Sequence, residues 1–180
     1  WLSSCFNELY GGAGDDVIVG GDEGNLLDGG SGADQLTGGD GGDTYIIDNV
    51  YDGVSESYIP YFDNDPNPRD LVKSYITISY AISNIEDYQL LGSENINATG
   101  SDANNYLTGN LGNNILNGFG GNDILYGENG SDTLYGGNNN DKLYGGNGSD
   151  KSYGEAGNDS LYMDAGNDTL DGGSGTDWLY

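Results

Sequence analysis

Apolar residues recur in this chain with a period of nine residues. Each unit opens with small and polar residues and carries an apolar residue at its eighth position, as in the units that begin at Gly11, Gly20, Gly29 and Gly38. A second run of units extends over residues 100–180. Positions seven to nine predict a short strand with position eight pointing inward. One buried residue in nine cannot form a globular core, but it can form a thin core in a solenoid of parallel strands.

The eighth positions hold Ile18, Leu27, Leu36, Tyr45, Leu107, Leu116, Leu125, Leu134, Leu143, Ser152, Leu161, Leu170 and Leu179. Glycine is common at positions one, two and four, where tight turns need backbone freedom that a Cβ would remove.

Position six carries the candidate chemistry, because stacked units would place its side chains in files along the turns. Its aspartates are Asp16, Asp34, Asp43, Asp123, Asp132, Asp141, Asp150, Asp159, Asp168 and Asp177. Its asparagines are Asn25, Asn105 and Asn114. Files of carboxylates repel one another, so the stack needs a cation. Calcium fits, because it takes roughly six to eight oxygen ligands from carboxylates and carbonyls in flexible geometry.

The repeated unit, seen in GGSGADQLT from Gly29, resembles the GGxGxDxUx nonapeptide of the haemolysin-type calcium-binding (RTX) family. The resemblance covers residues 11–46 and 100–180. It implies an all-β fold, a parallel β-roll with two nonapeptides in each turn. It also implies several calcium ions, bound between loops two repeats apart, and type I secretion to the extracellular space or cell surface.

Two-repeat spacing implies six sites with aspartate on both sides, and we expect these to bind best. They pair Asp16 with Asp34, Asp123 with Asp141, Asp132 with Asp150, Asp141 with Asp159, Asp150 with Asp168, and Asp159 with Asp177. Three further pairs contain one asparagine, and we expect them to be weaker or vacant. They pair Asn25 with Asp43, Asn105 with Asp123, and Asn114 with Asp132.

Residues 47–99 break the period and contain all three prolines. We therefore expect a first β-roll block over residues 1–46, a spacer with capping strands over 47–99, and a second block over 100–180. Alternating apolar residues predict spacer strands over residues 71–80 and 85–91.

One spacer segment begins like an EF-hand loop at Asp63. Pro68 stands at the sixth position in place of glycine, and Ser74 at the twelfth in place of glutamate, so the EF-hand pattern fails. A looser calcium contact from Asp63, Asp65 or Asp70 and a solvated polar loop both remain open.

The charge narrows the choice of partners. The chain has 30 Asp and Glu residues against 4 Lys and Arg and no His, which gives a net charge of -26. This balance argues against a nucleic-acid partner, which needs a basic footprint, and the absence of His removes histidine-based catalysis. No apolar run approaches the roughly 18 residues of a membrane span. We therefore expect a protein that is not an enzyme and has no membrane span.

Tyrosines at position nine form an outward file with two interpretations. Its members are Tyr126, Tyr135, Tyr144, Tyr153, Tyr162 and Tyr180. They either stack along neighbouring strands or form an exposed stripe that binds another chain or a glycan.

Three functional hypotheses follow. The first is a calcium-binding structural module of a secreted or cell-surface bacterial protein that folds on meeting extracellular calcium. The second is a subunit of a self-assembling filament, sheath or surface layer that associates through roll ends or the tyrosine file. The third is the accessory, non-catalytic part of a secreted enzyme or adhesin.

Overall fold

The computed structural model describes residues 6–56 and 69–180, and every regular element in these ranges is a β-strand. The chain divides into two compact units. No helix within the described ranges is long and apolar enough to span a membrane.

The first unit comprises the described residues up to Ile76 together with Ile82–Asp87. Its strands are β1 (Asn7–Ala13), β2 (Val17–Gly21), β3 (Asn25–Ser31), β4 (Gln35–Gly39), β5 (Thr44–Ile47), β6 (Gly53–Ser55) and β7 (Leu71–Ser74). They alternate between two sheets, one ordered β1-β3-β5-β7 and the other β2-β4-β6.

The second unit comprises Thr77–Ala81 and Tyr88–Tyr180. Its strands are β8 (Asp87–Leu90, from its second residue), β9 (Ala98–Thr99), β10 (Tyr106–Thr108), β11 (Ile115–Gly120), β12 (Ile124–Tyr126), β13 (Thr133–Asn138), β14 (Lys142–Tyr144), β15 (Lys151–Ala156), β16 (Ser160–Tyr162), β17 (Thr169–Asp171) and β18 (Trp178–Leu179). One sheet is ordered β8-β10-β12-β14-β16-β18 and the other β9-β11-β13-β15-β17.

Strand pairing is parallel, and the register follows the sequence period. Leu125 lies opposite Leu143, and Leu143 lies opposite Leu161, so neighbouring strands of a sheet come from units two repeats apart. The predicted parallel β-roll with two nonapeptides in each turn is therefore confirmed. In the first unit one step is longer, because Tyr45 of β5 pairs with Val72 of β7.

The position-eight residues form the core, as the period predicts. Those at most 1% exposed are Leu27, Leu36, Tyr45, Leu107, Leu116, Leu125, Leu134, Leu143 and Leu161. Ser152 is also fully buried, whereas Leu179 is 53% exposed because β18 is the edge strand of its sheet. Burial of each leucine is worth about 1.5–3 kcal/mol, so the stack supplies a core that single units lack.

The spacer strands are shorter than the apolar pattern predicts. The predicted strand over residues 71–80 ends at Ser74, because the Ser74 hydroxyl donates to the Ile76 carbonyl at 2.7 Å and accepts from the Ile76 amide at 3.1 Å. A local side-chain turn thus takes backbone groups that a longer strand would have paired across the sheet. The predicted strand over 85–91 forms as β8.

Position-nine tyrosines stack on one another in two rows, divided as two repeats in each turn require. In one row, formed by Tyr126, Tyr144, Tyr162 and Tyr180, neighbouring rings are nearly parallel and their centroids are 4.6–4.7 Å apart. In the other row, Tyr135 and Tyr153 stack at 5.1 Å. The ring faces therefore cover one another, which supports strand-to-strand stacking and leaves mainly ring edges for a partner.

Candidate metal centre

The position-six aspartates lie in files where each is held by the turn before it. In the second unit, the Asp123 amide donates to Asp141 Oδ1, and the Asp141 amide donates to Asp159 Oδ1, both at 2.8 Å. Nine of the ten predicted aspartates accept such a bond from the amide of the residue two repeats earlier. Asp16, the first of its file, instead donates its amide to Asp34. The ladder fixes each of these nine carboxylates by its Oδ1 atom.

The second carboxylate oxygen is buried and has no hydrogen-bond partner. This holds for Oδ2 of Asp16, Asp34, Asp43, Asp123, Asp132, Asp141, Asp150 and Asp159. Burying a carboxylate oxygen without a partner is costly, and native proteins rarely leave one unsatisfied. Eight such atoms at equivalent positions therefore point to a ligand.

A backbone oxygen faces five of these atoms across the first glycine of the unit, namely Oδ2 of Asp16, Asp123, Asp132, Asp141 and Asp159. A Cβ added to Gly136 would lie 2.5 Å from Asp141 Oδ2 and 2.9 Å from the carbonyl oxygen of Gly154, one turn on. At Gly11 the corresponding distances to Asp16 Oδ2 and the Gly29 carbonyl are both 2.6 Å. We call this space over the first glycine, between the carboxylate and the next-turn carbonyl, the cradle.

The cradle suits a calcium ion. Its donors are a carboxylate and a carbonyl oxygen, the oxygen types that calcium takes. Glycine is needed at position one because a side chain there would fill the space between them. The cradle recurs at Gly118, Gly127 and Gly154, where an added Cβ would also lie against the position-six carboxylate and the next-turn carbonyl.

Electrostatics agree with this assignment. Burial raises the pKa of Asp123, Asp132 and Asp141 to about 7. Burial also raises the pKa of Asp150 and Asp159. Such environments disfavour a carboxylate that lacks a counterion, and an adjacent divalent cation would reverse the preference.

The asparagines at position six are satisfied within the protein. Asn105 Oδ1 accepts the Ser101 amide at 2.6 Å, and Asn114 Oδ1 accepts the Asn110 amide at 2.8 Å. Asn25 directs its amide nitrogen toward the cradle of Gly20, where an added Cβ would lie 2.7 Å from it. These neutral or donor groups fit a cation less well than a carboxylate.

Two departures from the repeat in the second unit lie together. Met163 replaces a first glycine and Ser152 replaces a core leucine, and the Met163 sulfur lies 3.9 Å from the Ser152 hydroxyl. A Cβ added to Gly145 would lie 2.6 Å from that sulfur and 2.7 Å from Asp150 Oδ2. The thioether therefore enters the cradle of Asp150.

Three acidic residues outside the repeats complete the files of the first unit. Asp52 accepts the Asp34 amide at 3.0 Å, and Asp70 accepts the Asp43 amide at 2.7 Å. Glu86 in turn accepts the Asp70 amide at 3.0 Å. The glycine-rich turn is missing before each, so the period does not reveal them. The remaining signal is an acidic residue two positions before an apolar one.

The structure describes only one of the three spacer aspartates that the sequence offers as calcium contacts. Asp70 joins a position-six file, and its burial raises its pKa to about 8. Asp63 and Asp65 lie outside the described residues.

The parallel two-sheet solenoid and its recurring oxygen cradles define a calcium-binding β-roll. Comparison with protein families agrees. The RTX calcium-binding nonapeptide repeat matches in four copies, over residues 8–45, 99–134, 126–161 and 153–180. The chain belongs to this family, whose nonapeptide repeats bind multiple calcium ions. No curated protein matches the chain significantly.

Proposed function

We propose that this chain is a structural module of a secreted or cell-surface protein, and that calcium drives the folding of its β-roll. The observation that carries the proposal is the set of eight buried Oδ2 atoms without hydrogen-bond partners. In the sites where they face a glycine carbonyl, a calcium ion would join two successive turns. The ions would bind at the position-six aspartates, with the Asp–Asp pairs binding best, except at Asp150, whose cradle the Met163 thioether enters.

The net charge makes such a module sensitive to calcium. The chain carries -26, and folding packs many of the carboxylates into files, so repulsion opposes the roll when no ion is bound. Each calcium ion offsets two of these charges and satisfies buried oxygens at the same time. Extracellular calcium modules bind at about 10⁻⁴–10⁻³ M, a range that would separate the cytosol from the outside of the cell. RTX repeat proteins are generally secreted, which supports this location.

A structural rather than enzymatic role is the simplest use of this geometry. Seven of the ten position-six aspartates are held by backbone amides and buried between turns, where a substrate could not reach them. The sequence also supplies no histidine as a general base.

Circular dichroism of the chain tests the proposal. Titration with calcium from a chelated start should produce the β-sheet signal, and excess chelator should remove it. Magnesium at equal concentration is the control, since it demands near-ideal octahedral geometry and releases its water reluctantly. A chain that keeps its full β-sheet signal in excess chelator would show that calcium does not drive folding.

A further inference from the structure

The first unit contains a group of carboxylates that the nonapeptide pattern does not produce. Carboxylate oxygens of Asp43, Glu56 and Asp70 all lie within 4.8 Å of one another. Asp43 is 1% exposed and Asp70 is 7% exposed. Charges this close and this buried repel strongly unless a proton or a cation lies between them.

An unsatisfied atom points into this group. Asp43 Oδ2 is buried without a hydrogen-bond partner, and a Cβ added to Gly38 would meet Asp43 Oδ2, the Tyr45 hydroxyl and Glu56 Oε1. In an ordinary cradle, the position that Glu56 Oε1 occupies here is taken by the carbonyl oxygen of the glycine two repeats after the first glycine. Glu56 stands at that position after Gly38, so a carboxylate oxygen replaces a carbonyl oxygen.

The surrounding hydrogen bonds hold these ligands in place. The backbone amides of the ladder bind the Oδ1 atoms of Asp43 and Asp70 and so do not occupy Asp43 Oδ2. Asp43 Oδ1 accepts the Asn25 amide at 2.6 Å, and Asp70 Oδ1 accepts the Asp43 amide at 2.7 Å. The fully buried Tyr45 donates its hydroxyl to Glu56 Oε1 and so orients that side chain. Neither of the two spacer residues in the group belongs to a nonapeptide.

We propose that Asp43, Glu56 and Asp70 together bind one divalent cation, a calcium ion, at a site distinct in composition from the repeat sites. The choice of calcium as the ion at this site rests on the proposed function. Affinity at calcium sites rises with the number of charged ligands. Three carboxylates, against at most two in the Asp–Asp pairs of the repeats, should make this site the first to fill. The ion would tie the spacer residues to the turn at Gly38 and so close the repeat block of the first unit.

Calcium titration of the 180-residue chain by isothermal titration calorimetry and native mass spectrometry tests this site. Glu56→Gln removes the added charge while keeping the shape of the side chain and an oxygen for the Tyr45 hydroxyl. The expected result is the loss of the tightest binding step and of one bound ion at low calcium. Glu128→Gln is the matched control, since it removes an equal charge from an exposed position in the second unit. Glu128→Gln should keep the tightest binding step and the full number of bound ions.

The outcomes separate this site from the proposed function. A wild-type chain that binds several ions, with Glu56→Gln giving the same isotherm, would overturn the site alone. A wild-type chain that binds no calcium would overturn both.

A second measurement covers the case in which Glu56→Gln does not fold. Anomalous scattering from wild-type crystals grown with calcium should show an ion among Asp43, Glu56 and Asp70. Ions in the repeat cradles, with only a proton shared by Asp43 and Glu56, would overturn the site.

Discussion

The second unit contains two files of position-six residues that share a backbone ladder but differ behind it. The Asp141 file comprises Asn105, Asp123, Asp141, Asp159 and Asp177, and the Asp150 file comprises Asn114, Asp132, Asp150 and Asp168. Ladder bonds in both files measure 2.7–3.0 Å. The backbone therefore treats the two files alike.

The core side chains that pack behind the two files differ. Uninterrupted leucines support the Asp141 file, whereas Ser152 interrupts the row behind the Asp150 file. Met163 reaches in from the loop toward Ser152, and its sulfur occupies the cradle of Asp150. A thioether is a soft ligand that calcium does not favour. We infer that the Met163 side chain packs beside Ser152 at the expense of the proposed cation site of Asp150, which would couple core packing to ion binding.

Removing a core leucine behind the Asp141 file should have the largest effect. Leu143 is fully buried between Leu125 and Leu161, so Leu143→Ala should lower the free energy of unfolding by about 2–5 kcal/mol. Urea denaturation in saturating calcium measures the change. Ser152→Ala in the other row is the control and should cost far less, because no leucine volume is lost there. Equal losses would mean that the two rows pack alike.

Filling a cradle should have the next largest effect. Gly136→Ala would place a Cβ against Asp141 Oδ2 and the Gly154 carbonyl, so the chain should lose one bound ion. Gly145→Ala would place a Cβ against the Met163 sulfur and Asp150 Oδ2, in a cradle that the thioether already fills, so it should leave the ion count unchanged. Native mass spectrometry at saturating calcium counts the ions. Retention of all ions in Gly136→Ala would argue against the cradle as the binding position.

Removing the thioether should make the two files more alike. Met163→Gly restores the first glycine of its unit and frees Asp150 Oδ2, so we expect one additional calcium ion. At free calcium tenfold above the dissociation constant, that ion would add about 1.4 kcal/mol of stability, offset by the packing lost beside Ser152. Calorimetric stoichiometry measures the gain, and adding Asp150→Asn to this variant should abolish it. An unchanged stoichiometry in Met163→Gly would contradict occlusion by the sulfur.

The tyrosine rows should show the smallest difference. Tyr144 stacks on both Tyr126 and Tyr162, whereas Tyr153 stacks on Tyr135 alone. Ring pairs contribute about 0.5–1.5 kcal/mol each, and the partial exposure of these rings favours the lower end. Tyr144→Ala should therefore shift the urea midpoint about twice as far as Tyr153→Ala. A larger shift for Tyr153→Ala would indicate that stacking is not the main contribution of these rings.

The repeats could be predicted closely because their information is local. A nine-residue period with leucine at position eight defines the strand positions, the parallel pairing between units two repeats apart, and the aspartate files. It does so because every stacked unit has the same local structure. The spacer could be predicted less well. The strand predicted over residues 71–80 ends at Ser74, because the Ser74 hydroxyl hydrogen-bonds to the carbonyl and amide of Ile76. Apolar alternation along the sequence does not predict such a side-chain contact.

The sequence by itself determined the roll, its register and the places where carboxylates gather, because each depends on a residue type recurring at a fixed spacing. Only the tertiary structure decided how individual sites are completed. Glu56 provides a carboxylate where a glycine carbonyl would stand, and Met163 fills the space left by Ser152. Both depend on side chains reaching across turns from positions outside the motif, and spacing along the chain does not encode that reach.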